Sequence, residues 1–464
     1  MKLLKIYNIK PYKPCILKMK KSLIPLLVCF VFTYTLKAQK IEVESMVSAT
    51  GLLAENNQLP FWLVANNNGA LAPSTNGLFE ASSKIVYDFN KNTSIEAKGS
   101  FFLRDGVTDK FQRNELFIRF KNKWVQATLG SENPQEKYNG LSVVDDNFLL
   151  AGNSRSIPGL LLETPKPLEI IDNFAVDLGI GHYELNDDRY VDDAKLHYKR
   201  LNVSWTFAQE NTLVLGIEHY AQWSGNSPEI GKQPDSFSDF IDVFFARRAA
   251  EGSFQSDQAN ALGNHIGIYN FEYKFQPDIG DFSFYHQHPF EDGSGTRLKN
   301  FPDGIWGISY MPNTIDYTSF LTGLVLEYVQ TTNQSGGSGR SGIDNYFNSG
   351  VYRSGWTYDA NIIGLPFIYR DDTGLKIANN RLRAINLGFS AANKQWSYLF
   401  KTTYVENLGI YPEPIIPKDR SVYTLFKTQY DFEKLGSISL MLGYDFNDLR
   451  DDNYGGGLTY SYSF

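Results

Sequence analysis

From Ile41 onward the chain is patterned in period two. Leu458, Tyr460, Tyr462 and Phe464 alternate with Thr459, Ser461 and Ser463. Ile438, Leu440, Leu442, Tyr444 and Phe446 alternate with Ser437, Ser439, Gly443 and Asp445. The same rhythm sets Leu201, Val203, Trp205 and Phe207 against Asn202, Ser204 and Thr206, and Phe174, Val176, Leu178 and Ile180 against Ala175, Asp177 and Gly179. One face of each segment is apolar and the other is small or polar, which predicts strands lying between an apolar phase and water. A soluble sandwich alternates too, but three features favour a membrane barrel. Many of these runs reach about 10 to 12 residues, where soluble strands cluster near 5 to 6 and a tilted membrane strand needs about 9 to 11. The polar face carries Gly, Ser, Thr, Asn and Asp, as a wet lumen allows. Aromatics gather near strand ends, where amphipathic rings suit the bilayer interface.

The alternation predicts about eighteen strands, near 41–51, 78–88, 93–104, 113–121, 123–131, 157–165, 174–184, 197–208, 212–223, 264–275, 280–288, 303–310, 318–330, 382–391, 394–405, 420–431, 436–446 and 453–464. Tight connectors (Asn90-Lys91-Asn92, Asn122, Gln209-Glu210-Asn211, the turn around Pro277, Ala392-Asn393) alternate with long ones at 52–77, 132–156, 224–263, 289–302 and 331–381. On the short side, 166–173 and 311–317 are the longest connectors. Short turns on one rim and long loops on the other are the habit of outer-membrane barrels, and an even strand number puts both chain ends on the short-turn, periplasmic side. The expectation is an all-β fold: a transmembrane antiparallel β-barrel with long extracellular loops. One connector adds a helix: Phe237, Phe240, Ile241, Phe244 and Phe245 follow helical spacing, with Asp239 and Asp242 off that face and Arg247 and Arg248 at its end. It either covers an apolar patch, outside or inside the wall, or narrows the lumen. Together with the long connectors at 224–263 and 331–381 it is expected to plug the barrel in part.

The segment before the alternation is an address. Lys18, Lys20 and Lys21 precede the short apolar run Leu23–Phe32, and Ala38-Gln39 offers a cleavage point, although Leu36 spoils the usual small-x-small pattern. Residues 1–38 therefore read as a secretory signal peptide, with Met19 as an alternative start, and residues 39–464 as the barrel. Cys29 follows Leu26-Leu27-Val28 as in a lipoprotein box, but the apolar core continues past it, which argues against lipidation. Both cysteines, Cys15 and Cys29, leave with the signal, so the mature chain has no thiol chemistry. The removed piece holds eight lysines and no acid, which takes the formal net charge from −7 to −15. Nucleic acid, bound through Lys and Arg neutralising phosphates, is excluded as a partner. The closing strand ends in the aromatic Phe464, a feature that resembles the mark read by the barrel insertion machinery, which is the expected partner in biogenesis.

Composition narrows the classes further. The 464 residues are 42% hydrophobic and 15% aromatic. Such aromatic content is foreign to disordered chains, and no run after the N-terminus approaches the roughly 20 apolar residues of a membrane helix. Catalytic signatures are missing. Gly336-Gly337-Ser338-Gly339 and Gly293-Ser294-Gly295 read as flexible loop, not as a nucleophile elbow. His286 and His288 have metal-compatible spacing, but Pro289 and the surrounding aromatics suit a strand end better. His182, His197, His219 and His265 stand singly. No enzyme activity and no cofactor are expected. The loops are the informative part. Trp62, Tyr346, Trp356 and Tyr358 offer rings that can stack on sugars, while Asn67, Arg297 and Arg353 can hydrogen-bond hydroxyls or acidic groups. These seven are the candidate glycan-binding residues, read from chemistry alone. The competing reading is that the loops simply pack on themselves.

Several loop stretches resemble the Wzi-type capsule assembly proteins, in the form found in the Bacteroidetes: Leu59-Pro60-Phe61-Trp62, Phe301-Pro302-Asp303-Gly304-Ile305-Trp306-Gly307, Asp344-Asn345-Tyr346-Phe347-Asn348, Tyr352-Arg353-Ser354-Gly355-Trp356-Thr357-Tyr358 and Gly364-Leu365-Pro366-Phe367. The resemblance covers nearly the whole mature chain in order. It implies an outer-membrane barrel of about this size, its lumen blocked by loops or helices, that binds capsular polysaccharide and helps hold it on the cell surface, lectin-like and without catalysis. A diffusion channel or substrate-specific porin is the alternative, and an outer-membrane hydrolase a third.

Overall fold

The computed structural model describes residues 41–247, 261–313, 320–335 and 344–464. The expected signal peptide over 1–38 lies outside the described residues. Eighteen strands build one antiparallel wall: β1 Ile41–Ala54, β2 Gly77–Asn90, β3 Thr93–Arg104, β4 Phe111–Lys121, β5 Gln126–Ser131, β6 Gly159–Glu163, β7 Phe174–Leu185, β8 Ala194–Phe207, β9 Asn211–Trp223, β10 Asn264–Phe275, β11 Asp281–Phe290, β12 Gly304–Met311, β13 Leu321–Gln330, β14 Leu382–Asn393, β15 Trp396–Gly409, β16 Pro414–Asp431, β17 Ser437–Asn447 and β18 Asn453–Ser463. Each pairs with the next in sequence, and β1 closes on β18 in a continuous register from Met46↔Ser463 to Ala54↔Gly455. A closed wall has no free edge, which is what a sheet needs in hydrocarbon.

All eighteen expected strands are present, with two differences. After a break at Thr164–Pro167, β6 resumes as Leu168–Ile171 and pairs with the lower part of β7, so part of the expected connector 166–173 is wall. Pro165 and Pro167 lack the N–H that a ladder requires, which explains the gap. β16 begins at Pro414, six residues earlier than the pattern suggests, and its hairpin with β15 stands above the neighbouring strands.

The outward positions form an apolar belt. Leu440, Leu442, Leu458, Ile385, Leu387, Leu326 and Ile308 are exposed large hydrophobics on the outer face. So large a continuous patch marks contact with lipid or a partner, and a barrel wall makes the partner lipid. Aromatic rings edge it on the short-turn side, with Phe174 stacked on Trp205 and Trp396 stacked on Tyr398. Among the described residues no helix is long and apolar enough to cross a membrane.

The inside is filled. Three long-side connectors, 55–76, 132–158 and the described parts 331–335 and 344–381 of the third, turn into the barrel and pack as one core. Val143, Phe148 and Leu149 of the second meet Tyr346, Trp356, Ile363 and Leu365 of the third, and both meet Leu196, Ile268, Ile305, Val329, Leu382 and Val405 of the wall. A smaller cluster fixes Leu59, Leu63 and Leu71 of the first connector against Leu52, Leu78 and Phe102. A four-residue helix α1, Phe61–Val64, sits within this first connector.

The expected amphipathic helix exists as α2, Phe237–Phe244, started by a capping box between Ser236 and Asp239. It does not plug the barrel. Its apolar face lies on the outer wall, where Phe240 touches His182, His197 and Trp223 and Val243 is buried against Ala221. These wall residues share the outward parity of Ile180, Leu201 and Leu215. The plug is made by irregular loops instead.

Candidate functional site

The plug is held by polar anchors as well as by its core. Glu327 on β13 is buried and accepts from the backbone N–H of Val143 at 2.9 Å, the Tyr285 hydroxyl at 2.7 Å and the Asn386 amide at 2.9 Å, with Ser142 Oγ as a further donor. A lone buried carboxylate would be costly; four donors compensate it. Beside it, the buried Lys401 ammonium lies 3.6 Å from the Trp62 ring centre and donates to Ser142 O. Wall and loop also meet at Gly388, where any Cβ would come within 2.5 Å of Leu141 O, so a bare backbone is needed there.

Two stretches that carried the family resemblance turn out to be joined. Tyr346 donates to Asp303 Oδ2 at 3.1 Å and accepts from Asn300 at 2.7 Å, while Asp303 also accepts from the N–H groups of Asn333 and Gln334. The Pro60-Phe61-Trp62 stretch meets the Pro366-Phe367 stretch, with Phe61 stacked against Phe367 and against Tyr423 at centroid distances of 5.4 and 4.3 Å. These motifs assemble the plug.

The seven candidate residues separate accordingly. Trp62, Tyr346, Trp356 and Tyr358 are buried, which corrects the expectation that they present free faces to a sugar. Trp356 donates from its indole N–H to Leu149 O at 2.7 Å, and Tyr358 donates to Asn186 at 2.7 Å. Each ring finds its partners inside the chain, so burial was won by self-packing. Asn67 is half-buried and spends its amide on Leu63 O and Ala65 O. Arg353 is likewise half-buried, and Arg297 alone of the seven is exposed. Arg353 forms a two-pronged pair with Glu229 at 3.0 and 2.6 Å and lies 5.0 Å over the Tyr190 ring. Arg297 is exposed at the end of a short 3-10 turn, Gly295–Arg297.

Two lumen cavities accompany the plug. One, about 560 Å³, lies between loop 132–158 and the wall of β4–β9, with Arg119, Arg200, Asn133, Asn147, Tyr183 and Tyr198 among its lining residues. Arg119 pairs with Glu96 and Glu132, and Arg200 with Glu163 and Asp177. The other, about 370 Å³, is acidic: Asp145, Asp146, Asp177, Glu218 and Glu272 outnumber Lys137 and Lys274. Sequence reasoning passed over these residues. The available signal was a charge at an inward position within an alternating strand, as at Arg119, Asp177 and Arg200.

A closed antiparallel wall, a lipid-facing belt and a lumen filled by its own external loops define a plugged membrane-spanning β-barrel. Residues 147–371 match the family described as Capsule assembly protein Wzi. Wzi of Escherichia coli, described as an outer membrane protein involved in group 1 capsule assembly and a carbohydrate-binding β-barrel, has a similar structure. It is 14% identical, with a TM-score of 0.58 over 89% of this chain and 83% of that one. OccK5 (OpdH) of Pseudomonas aeruginosa is 9% identical, with a TM-score of 0.48 over 92% and 97%. No curated protein matches the chain. The barrel belongs in the outer membrane.

Proposed function

We propose that the protein is a non-enzymatic, lectin-like barrel whose outer mouth holds capsular or extracellular polysaccharide at the cell surface. The observation that carries this reading is the plug: three of the long loops are committed to a packed core inside the barrel, so the working surface is their external face and not a passage. The family match over residues 147–371 and the carbohydrate binding ascribed to the Escherichia coli protein support it. Arg297 and Arg353 supply cationic contacts for acidic sugars, while the buried Trp62, Tyr346, Trp356 and Tyr358 set the loop shape, with Asn67 fixing the turn after α1. Contacts of this kind are individually weak, and a repeating polymer lets several add through effective concentration. The partners are thus polysaccharide, outer-membrane lipid and, during biogenesis, the insertion machinery; residues 1–38 direct export.

A glycan array and a capsule pull-down with purified protein test the reading. Binding without cleavage is expected, weakened by Arg297→Ala with Arg353→Ala. No retention of any polysaccharide, or release of shortened products, would overturn it. Steady open-channel current from the wild-type barrel in a planar bilayer would favour the porin alternative.

A further inference from the structure

The outer wall carries a second charged feature, away from the mouth. Arg383 on β14, Glu406 on β15 and Arg420 on β16 are register partners in one row across three strands. All three point outward: the interleaved Leu382, Ala384, Val405 and Ser421 are buried on the lumen side. Lys418, one outward step above Arg420, joins them. Glu406 receives Lys418 Nζ at 3.2 Å, Arg420 Nε at 3.6 Å and an Arg383 guanidinium nitrogen at 3.7 Å. Asp448 touches the far side of Arg420 at 4.0 Å.

Three cations therefore converge on a carboxylate with two oxygens. The Glu406 side chain is only 11% exposed, whereas those of Arg383, Lys418 and Arg420 remain 49, 48 and 52% exposed. Guanidinium and ammonium groups carry five and three N–H donors, so most of the donors here are left over for an outside acceptor. Height gives the acceptor's nature. One outward step below the row stand Ile385, Tyr404, Val422 and Phe446, three of them exposed large hydrophobics at the long-loop edge of the lipid belt. The cations thus sit where hydrocarbon gives way to headgroups, and they face sideways into the membrane plane.

We infer that Arg383, Lys418 and Arg420, gathered by Glu406, form a binding site for the phosphorylated saccharide headgroup of an outer-leaflet glycolipid. Phosphate supplies several charged acceptor oxygens within reach of two guanidinium forks and one ammonium. An acidic surface polymer has the same sign of charge, but cations that point outward from the wall beside Ile385, Tyr404 and Phe446 favour a lipid headgroup. The site is independent of the polysaccharide reading above.

The test uses the full-length mature barrel in detergent with diphosphorylated lipid A, the dephosphorylated lipid and inorganic phosphate as probes. Retention is read by native mass spectrometry, with heat-modifiable gel mobility as the folding control. The triple variant Arg383→Gln, Lys418→Gln, Arg420→Gln is expected to lose roughly tenfold or more in retention of the diphosphorylated lipid, with the dephosphorylated lipid held poorly by both proteins. Glu406→Gln, which frees the three cations, is expected to hold the phosphorylated lipid at least as well as wild type, and this single variant decides the matter if the triple one does not fold. Equal retention of both lipids, unchanged retention in the folded triple variant, weaker retention in Glu406→Gln, or displacement by millimolar inorganic phosphate would each overturn the site. So would a triple variant that loses polysaccharide and keeps lipid, since the patch would then serve the polymer.

Discussion

At the scale of single residues, the plug depends on a few polar groups whose loss cannot be absorbed by packing. Glu327→Ala would strand the donors of Val143, Ser142, Tyr285 and Asn386, all held by one carboxylate. Each buried donor left without an acceptor costs about 1 to 3 kcal/mol, so loop 132–158 should detach from β13 while the wall survives. The check is faster amide exchange at 141–149 with unchanged heat-modifiability. Glu291 gives a pH effect. It accepts from the Phe347 N–H at 2.7 Å, and burial, with Asp344 and Asp292 nearby, pushes its carboxyl up to about 8. A carboxyl raised in the folded state stabilises that state when protonated, and the contribution fades as pH climbs from about 4.5 to about 8. Amide protection at Phe347 and its neighbours should therefore fall across this window, and Glu291→Gln should flatten the fall. An equal fall in the variant would mean that other groups set the pH response. Neither role was legible beforehand, because a glutamate in sequence shows its charge and not its neighbours. The same limit applies to Trp62 and Trp356: composition says that a ring wants a partner, and only the fold says that the partner is this chain and not a sugar.

At the scale of elements, the strands were legible and the loops were not. Alternation survives as a signal because each wall residue meets one of two media, so Leu440 and Ser439 differ for a reason that repeats. Plug residues meet irregular surroundings, and nothing periodic marks Leu141 or Ile363. The helix is an intermediate case. Its spacing announced an apolar face, but which surface received that face depended on the parity of His182, His197 and Trp223 in strands far off in sequence. The consequence is measurable. Phe240→Asp should lift α2 off the outer wall, since the partly buried ring packs on all three; the loss is smaller than the about 3 to 5 kcal/mol of a fully buried aromatic. Protease cleavage between 233 and 247 should rise, while current through the barrel stays absent, because this helix does not occlude the lumen. Current appearing in this variant would put the helix back among the gating elements.

At the scale of the whole molecule, wall and filling are separable. The wall closes through backbone pairing of β1 with β18 and through its lipid belt, neither of which uses the third plug loop. The filling depends on that loop, whose Tyr346, Trp356, Ile363 and Leu365 lie at the centre of the core. Replacing residues 345–378 by a short Gly/Ser linker should therefore leave a folded barrel and open it, giving steady current in a planar bilayer where the wild type gives none. The current should also have a sign. The space beneath the plug is lined by Asp145, Asp146, Asp177, Glu218 and Glu272 against Lys137 and Lys274, and a cleft lined by one sign of charge concentrates the opposite ion. Cations should be preferred, the preference weakening as salt shortens the Debye length to roughly 3 Å at 1 M. The variant should also fail to retain polysaccharide, because Arg353 leaves with the loop. If it stays closed, the other two connectors suffice to seal the barrel; if it opens and still binds polymer at full strength, the gripping surface lies on the remaining loops.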